Sequence, residues 1–430
     1  MRTSAVRPGG GKRRLAAVTR LAASVAFIAV VATACSSGSK SAAGASGAAG
    51  ATPSASSSGS PGSSGGSGDT PPPTAPSSAS PPVVTITPAA DATDIDPDSQ
   101  VQVSVANGKL DSVTAVLTGG AAVQGQMDAT ATSWTSSGTL GTNKSYSVSV
   151  VAENADGAKS TTTSKFTTSK PSAIFRGTYT PDAGTVVGVA QPISIDFSKP
   201  ITDKAAVEKG LTVESTPAVQ GSWYWYGNQR VDYRPQNFWT PGTKVTLHMR
   251  LDGVKSGSAY GDQNRDVAFS ISPHAIVATA DVAAKTMTVT QDGVVLKKLL
   301  ISAGKPGFDT WNGTMVVQRK VDDITMDSKT VGIFGTDGYV VKDVRYAVQL
   351  TDSGTYVHAA PWNEGKFGKV NGSHGCIGLS LDDAAWFYKT VGLGDPVIVK
   401  NSNEKVVRSN NGFADWNIGW SAWTAGSALH

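Results

Sequence analysis

Ser373-His374-Gly375-Cys376-Ile377-Gly378-Leu379-Ser380 is the stretch from which this 430-residue chain is best read. The sequence holds two cysteines: Cys35 ends an apolar leader, and Cys376 stands two residues after His374 and eighteen after His358. A thiolate, not a thiol, is the nucleophile, and a nearby imidazole can take its proton. Gly372, Gly375 and Gly378 permit a turn whose successive N–H groups converge on one point, as an oxyanion hole requires. Spacing alone leaves two other readings open. Cys376 could be a small buried hydrophobe beside satisfied surface histidines. His358, His374 and Cys376 could also be zinc ligands, although no fourth-ligand pattern or HExxH accompanies them.

On its C-terminal side the turn is expected to run into a helix. Ser380 is a good N-cap, with Asp383 three residues on as in a capping box. Leu381, Ala384, Ala385, Tyr388 and Val391 repeat at helical spacing, and Gly392 falls at the C′ position. Val397-Ile398-Val399 reads as a closing strand. Trp416, Trp420 and Trp423 then fall on one face of a helical turn, and the extension 401–430 is expected to pack on the module that carries Cys376. On the N-terminal side that module starts near His274 and runs to 400. Asp292-Gly293 between Thr286–Thr290 and Val294–Leu296 is a hairpin signal. Further strands read at 299–301, 314–317, 347–350 and 356–359.

Period-two alternation marks two earlier modules. In 83–170, strands read at 83–86, 101–105, 113–117, 146–151 and 164–167, with turns at Asn107-Gly108 and Asp156-Gly157. In 171–273 they read at 193–197, 211–213, 231–233, 245–249 and 267–271, with a turn at Pro241-Gly242. Short alternating strands at this density point to immunoglobulin-like β-sandwiches without the disulfide. Trp223-Tyr224-Trp225-Tyr226 reads as alternate faces of a half-buried strand or an inter-domain contact, with a sugar-stacking surface as the alternative. The fold class is therefore mainly β: two sandwich modules, then a β-rich module with one clear helix.

Residues 36–82 are Ser, Gly, Ala and Pro, too poor in large apolar groups to offset their ordering entropy. As a coil they span roughly 35–40 Å, suiting a tether. Residues 1–35 have a basic start and an apolar run, Leu21–Ala34, too short for a membrane span. Ala32-Thr33-Ala34-Cys35 resembles a bacterial lipobox, which implies lipidation of Cys35 and a site on the outer face of the cytoplasmic membrane, facing the wall. Cleavage after Ala34 is the alternative. Six of the 37 basic residues and none of the 33 acidic ones lie in this leader, so the rest carries a slight acidic excess and no basic face for nucleic acid.

Tyr356-Val357-His358-Ala359-Ala360-Pro361-Trp362, Ser373-His374-Gly375-Cys376-Ile377, Asp395-Pro396-Val397 and Asp415-Trp416-Asn417-Ile418 together resemble the L,D-transpeptidase catalytic (YkuD-type) domain over about 274–430. The preceding modules match the multi-domain actinobacterial type. The resemblance implies a cysteine acyltransferase without cofactor or metal. Cys376 would attack a diaminopimelate carbonyl in a peptidoglycan stem peptide, releasing D-Ala, and an acceptor stem would resolve the thioester into a 3→3 cross-link. It implies His358 as base, oriented by the Ala359 carbonyl. The N–H groups of Gly375 and Cys376, with the Tyr339 hydroxyl, would hold the oxyanion. Ser373 and His374 would shape the site. Ser353, Gly354, Met326 and Trp362 would meet substrate, and carbapenem-type β-lactams would acylate the thiol. The chain departs from the family at Gly378, where a side chain is expected to touch the stem, at Ala359, and at Trp311-Asn312-Gly313. Hydrolysis or amino-acid exchange through the same thioester is a second reading. A lipid-anchored, non-catalytic wall-binding protein is a third.

Overall fold

The computed structural model describes residues 79–430. The leader with Cys35 and the tether as far as residue 78 lie outside the described residues.

The first module is a sandwich of two four-stranded sheets. One orders Val83–Thr87, Gln102–Ala106, Ser133–Ser136 and Gly125–Met127, the other Ala92–Ile95, Lys159–Thr168, Ser145–Glu153 and Lys109–Leu117. Alternation drives it: Tyr146, Val148 and Val150 point inward to meet Val103, Trp134 and Phe166. The second module repeats the plan. Gly177–Thr180, Ile193–Phe197, Arg230–Pro235 and Gly221–Tyr226 face Val186–Val187, Asn264–Ile271, Lys244–Arg250 and Leu211–Thr216. Asp252 of the second module joins them, its Oδ1 accepting from the Thr142 N–H at 2.8 Å.

The third module has nine strands: β1 (Ile276–Asp281), β2 (Thr286–Gln291), β3 (Val294–Leu300), β4 (Gly313–Val316), β5 (Arg319–Asp327), β6 (Val340–Gln349), β7 (Tyr356–Ala359), β8 (Ile377–Leu379) and β9 (Pro396–Lys400). One sheet runs β3-β2-β1-β9-β4, the other β5-β6-β7-β8. Their inner faces share one core that includes Met287, Met315, Val348, Val357, Ile377 and Phe387. The β2–β3 hairpin turns where expected, with Asp292 at φ 51° and Gly293 at φ 82°, as a primed turn needs. The helix Leu381–Thr390 is capped by Ser380, whose Oγ accepts the Asp383 N–H at 3.2 Å.

Two expectations are corrected. The thiol turn does not enter the helix directly, because β8 intervenes and pairs in parallel with β7. Three residues suffice for that strand, too few to show alternation. Gly392 does follow the extended Val391 cap at the C′ position, but without the left-handed φ usual for a C′ glycine. The Trp-rich extension does not pack on the third module alone. Val407 and Ala414 do join that core. The tryptophans, however, turn to the second module: Trp416 Nε1 donates to Ala190 O and Trp423 Nε1 to Ser222 O, both at 2.8 Å. Trp423 also stacks on Tyr224 at 4.9 Å between centroids. Trp223 and Trp225 fill the sandwich core, so alternation leaves Tyr224 and Tyr226 outward to receive the helix Trp420–Thr424. Helical spacing defined the face but not its partner. Arg234 anchors the joint, its guanidinium carbon 4.7, 5.6 and 4.4 Å from the ring centres of Trp416, Trp420 and Trp423.

Candidate active site

The parallel pairing of β7 and β8 sets Val357 opposite Ile377 and His358 opposite Gly378. His358 on β7 and Cys376, the residue just before β8, therefore border one cavity of about 270 Å³. His358 is 4% exposed and Cys376 8%. His358 Nδ1 lies 2.8 Å from Ala359 O. A carbonyl only accepts, so Nδ1 carries the proton and Nε2 is the free base. This is the orienting contact the resemblance implies. Trp362 stacks on the imidazole at 5.8 Å between centroids.

Cys376 is a free thiol. Its Sγ donates to Gly354 O at 3.6 Å, a long contact even for sulfur. Burial pushes its pKa up to about 11, only partly opposed by the Tyr356 N–H facing the sulfur. Burial also pushes His358 below its ordinary value, with the Ala359 hydrogen bond opposing. Desolvation disfavours both charged forms, so the resting pair is neutral thiol and neutral imidazole.

Ser373 staples the turn. Its Oγ donates to Cys376 O at 2.6 Å and accepts from the Gly375 N–H at 3.1 Å. This corrects the expected oxyanion donors, since the Gly375 N–H is already engaged. The Cys376 N–H has no hydrogen-bond partner among the described residues. Gly375 takes φ +112°, which disfavours any side chain although space is open there. His374 does not hydrogen-bond the thiol. It sits between Phe308 and Tyr339, at 4.7 and 4.9 Å between centroids, as a wall of the cavity. Burial and then Lys305 hold its pKa below the usual value.

Tyr339 borders the same cavity, and burial, then the charge of a Cys376 thiolate, push its pKa up to about 12, keeping a neutral hydroxyl. It is held by Ser328, whose Oγ accepts the Tyr339 N–H at 2.9 Å and donates to Ile333 O at 2.9 Å. Both residues belong to the β5–β6 hairpin, which folds against β7. Val331 there lies so close that a Cβ on Gly354, itself at φ +89°, would come within 2.4 Å of it. A second cavity of about 170 Å³ is bordered by Thr330, Val331 and Tyr339 of this hairpin, by Met326, Asp327, Asp352 and Tyr356, and by Cys376.

Met326, Trp362 and Gly378 border the first cavity and Gly354 the second. Ser353 is a correction: it borders neither. Asn411 binds it instead, donating from Nδ2 to Ser353 Oγ at 2.8 Å and accepting the Ser353 N–H at 3.0 Å. Sequence reasoning missed Asn363, Lys366 and Asp352. No motif marks them; Asn363 and Lys366 come from the turn after β7 and Asp352 from the turn between β6 and β7.

The L,D-transpeptidase catalytic domain family matches residues 275–399, and the bacterial Ig domain family matches 92–255. L,D-transpeptidase 2 of Mycobacterium tuberculosis is 37% identical over 334 residues, covering 77% of this chain and 81% of that protein. L,D-transpeptidase 5 of the same species is 32% identical over 356 residues, covering 81% and 77%. A solved L,D-transpeptidase in complex with imipenem is 35% identical, covers 54% of this chain and all of its own, and has a TM-score of 0.47. With 37% identity across most of both chains and the thiol, imidazole and turn drawn to one cavity, this chain belongs to the L,D-transpeptidase family and is an acyltransferase.

Proposed function

We propose that this L,D-transpeptidase forms 3→3 cross-links between peptidoglycan stem peptides through a thioester on Cys376. The observation that supports it best is the β7–β8 pairing, which sets a neutral, oriented His358 beside the thiol on one cavity. In this reading His358 Nε2 takes the thiol proton as sulfur attacks the carbonyl of the donor's diaminopimelate. The Cys376 N–H and the Tyr339 hydroxyl donate to the oxyanion. Collapse breaks the amide bond, His358 returns the proton to the leaving amine, and D-Ala departs. The amine of an acceptor stem then loses its proton to His358, displaces the sulfur and leaves Cys376 a thiol again. Ser373 and Gly375 shape the turn, and Met326, Gly354 and Trp362 form the walls the peptides lie against.

The test is incubation of the purified chain with disaccharide tetrapeptide, followed by mass spectrometry. Equimolar D-Ala and cross-linked dimer are expected. Tripeptide without dimer would reassign the resolving nucleophile to water, and neither product from folded protein would refute the proposal. The same thiol opens a carbapenem ring, so a stoichiometric adduct absent in Cys376→Ala is expected. We further propose that the protein is exported and lipidated at Cys35, holding the enzyme on the outer face of the membrane at wall depth. A diacylglyceryl mass on the mature N-terminus, lost with Cys35→Ala, checks it.

A further inference from the structure

We propose that Lys366 is the residue by which this enzyme recognises a stem-peptide carboxylate. It takes over at the cavity edge from a side chain at position 378. The inference rests on the stem-peptide reading above.

A side chain at position 378 would be tight against its neighbours. A Cβ there would lie 3.0 Å from Ala360 Cβ, 3.3 Å from Ser302 O and 3.8 Å from Asn363 Nδ2. That edge of the cavity is thus built by the turn after β7, not by β8. Asn363 is its post: it is 3% exposed, and its N–H donates to Ala360 O at 2.8 Å. Asn363 then fixes Lys366 twice, accepting the Lys366 N–H at its carbonyl at 2.9 Å and the ammonium at Oδ1 at 3.2 Å. The ammonium thereby lies over Gly372, where a Cβ would stand 3.6 Å from Nζ. Gly372 precedes Ser373, so the cation sits beside the thiol turn.

Charge decides what it binds. An ammonium has three donors, and Asn363 uses one. Lys305, also near His374, is paired with Asp337 at 3.6 Å, whereas Lys366 meets no carboxylate among the described residues. Lys366 is the one Lys or Arg bordering the first cavity, which has no acid. The second cavity carries Asp327 and Asp352 and no Lys or Arg. A carboxylate is favoured in the first cavity and disfavoured in the second. In a stem tetrapeptide it comes from the terminal D-Ala or from the diaminopimelate side chain.

The experiment compares the purified wild type, Lys366→Gln and Lys366→Arg on three tetrapeptides: the free acid, the D-Ala carboxamide and the diaminopimelate side-chain carboxamide. D-Ala or its amide is the released product. Alkylation by neutral iodoacetamide confirms an intact thiol site in each variant. Lys366→Gln is expected to raise KM for the free acid roughly five- to tenfold, with Lys366→Arg restoring most of it. Wild type should show the same rise on one carboxamide, and Lys366→Gln should show no further rise there. That carboxamide identifies the source. An unchanged KM in Lys366→Gln, or losses that multiply on both carboxamides, would overturn the inference while leaving the transpeptidase reading intact. No product release by wild type would overturn both.

Discussion

Burial keeps Cys376 and His358 uncharged at neutral pH, and this sets how the thiol reacts. With the sulfur pushed up to about 11, the fraction ionised at pH 8 is far below that of a free cysteine, so iodoacetamide should alkylate Cys376 slowly and the rate should climb until about pH 11. Acylation by a bound carbapenem differs, because His358 removes the proton in the same step. His358 must be neutral to do so, and its depressed pKa keeps it neutral down into mild acid. The acid limb of the acylation profile should therefore have its midpoint below pH 6.5. His358→Ala should remove about 10²–10⁴ of the acylation rate. At Gly375 the positive φ predicts that Ala costs about 1–3 kcal/mol, read as a lower melting temperature. Cys376, His358 and Trp362 were legible in the sequence because a motif fixes their chemistry. Ser353 was misread because a motif position does not say which way its hydroxyl turns, and here Asn411, 58 residues away, takes it.

Among the elements, the β5–β6 hairpin depends on one buried hydroxyl. Ser328 is 1% exposed and ties Tyr339 to Ile333. Ser328→Ala strands both partners and should cost about 1–3 kcal/mol locally. Faster amide exchange at Ile333 and Tyr339 and slower D-Ala release are expected, while the exchange of β1 and β2 stays unchanged. Alternation made strands such as Tyr146–Val151 legible, but Ile276–Asp281 and Arg319–Asp327 went unread. Ala92–Ile95, Gly125–Met127 and Ser133–Ser136 also went unread, being short, polar or bounded by glycine. The helix Leu381–Thr390 was legible from its cap and period. The strand before it was hidden by having only three residues.

Across the molecule, the second and third modules meet on buried polar groups. The Gly188 N–H donates to Leu393 O at 2.7 Å and the Ala190 N–H to Gly394 O at 3.0 Å. Asp395 lies at this seam. Its Oδ2 accepts the Gly392 N–H at 2.7 Å, and its Oδ1 is buried without a partner. Burial pushes its pKa up to about 7. The folded state thus holds a proton that the unfolded chain releases near pH 3.8, so this group favours folding at low pH and loses that contribution as pH rises towards 7. The stability of wild type relative to Asp395→Asn should fall across that window and stay level above pH 8, measured by thermal melts. The sequence could not show this seam, because an Asp before a Pro carries no sign of what another module lays over it.

The aromatic collar around Arg234 makes the seam optically visible. Indole emission depends on local polarity and on nearby charge, and three of the ten tryptophans surround that one cation. Separation of the extension from the second module would hydrate all three together and shift their emission to longer wavelength. A fluorescence titration in denaturant therefore reads the opening of this joint directly, and a label-free signal that changes before the catalytic thiol becomes reactive would place module undocking ahead of active-site unfolding.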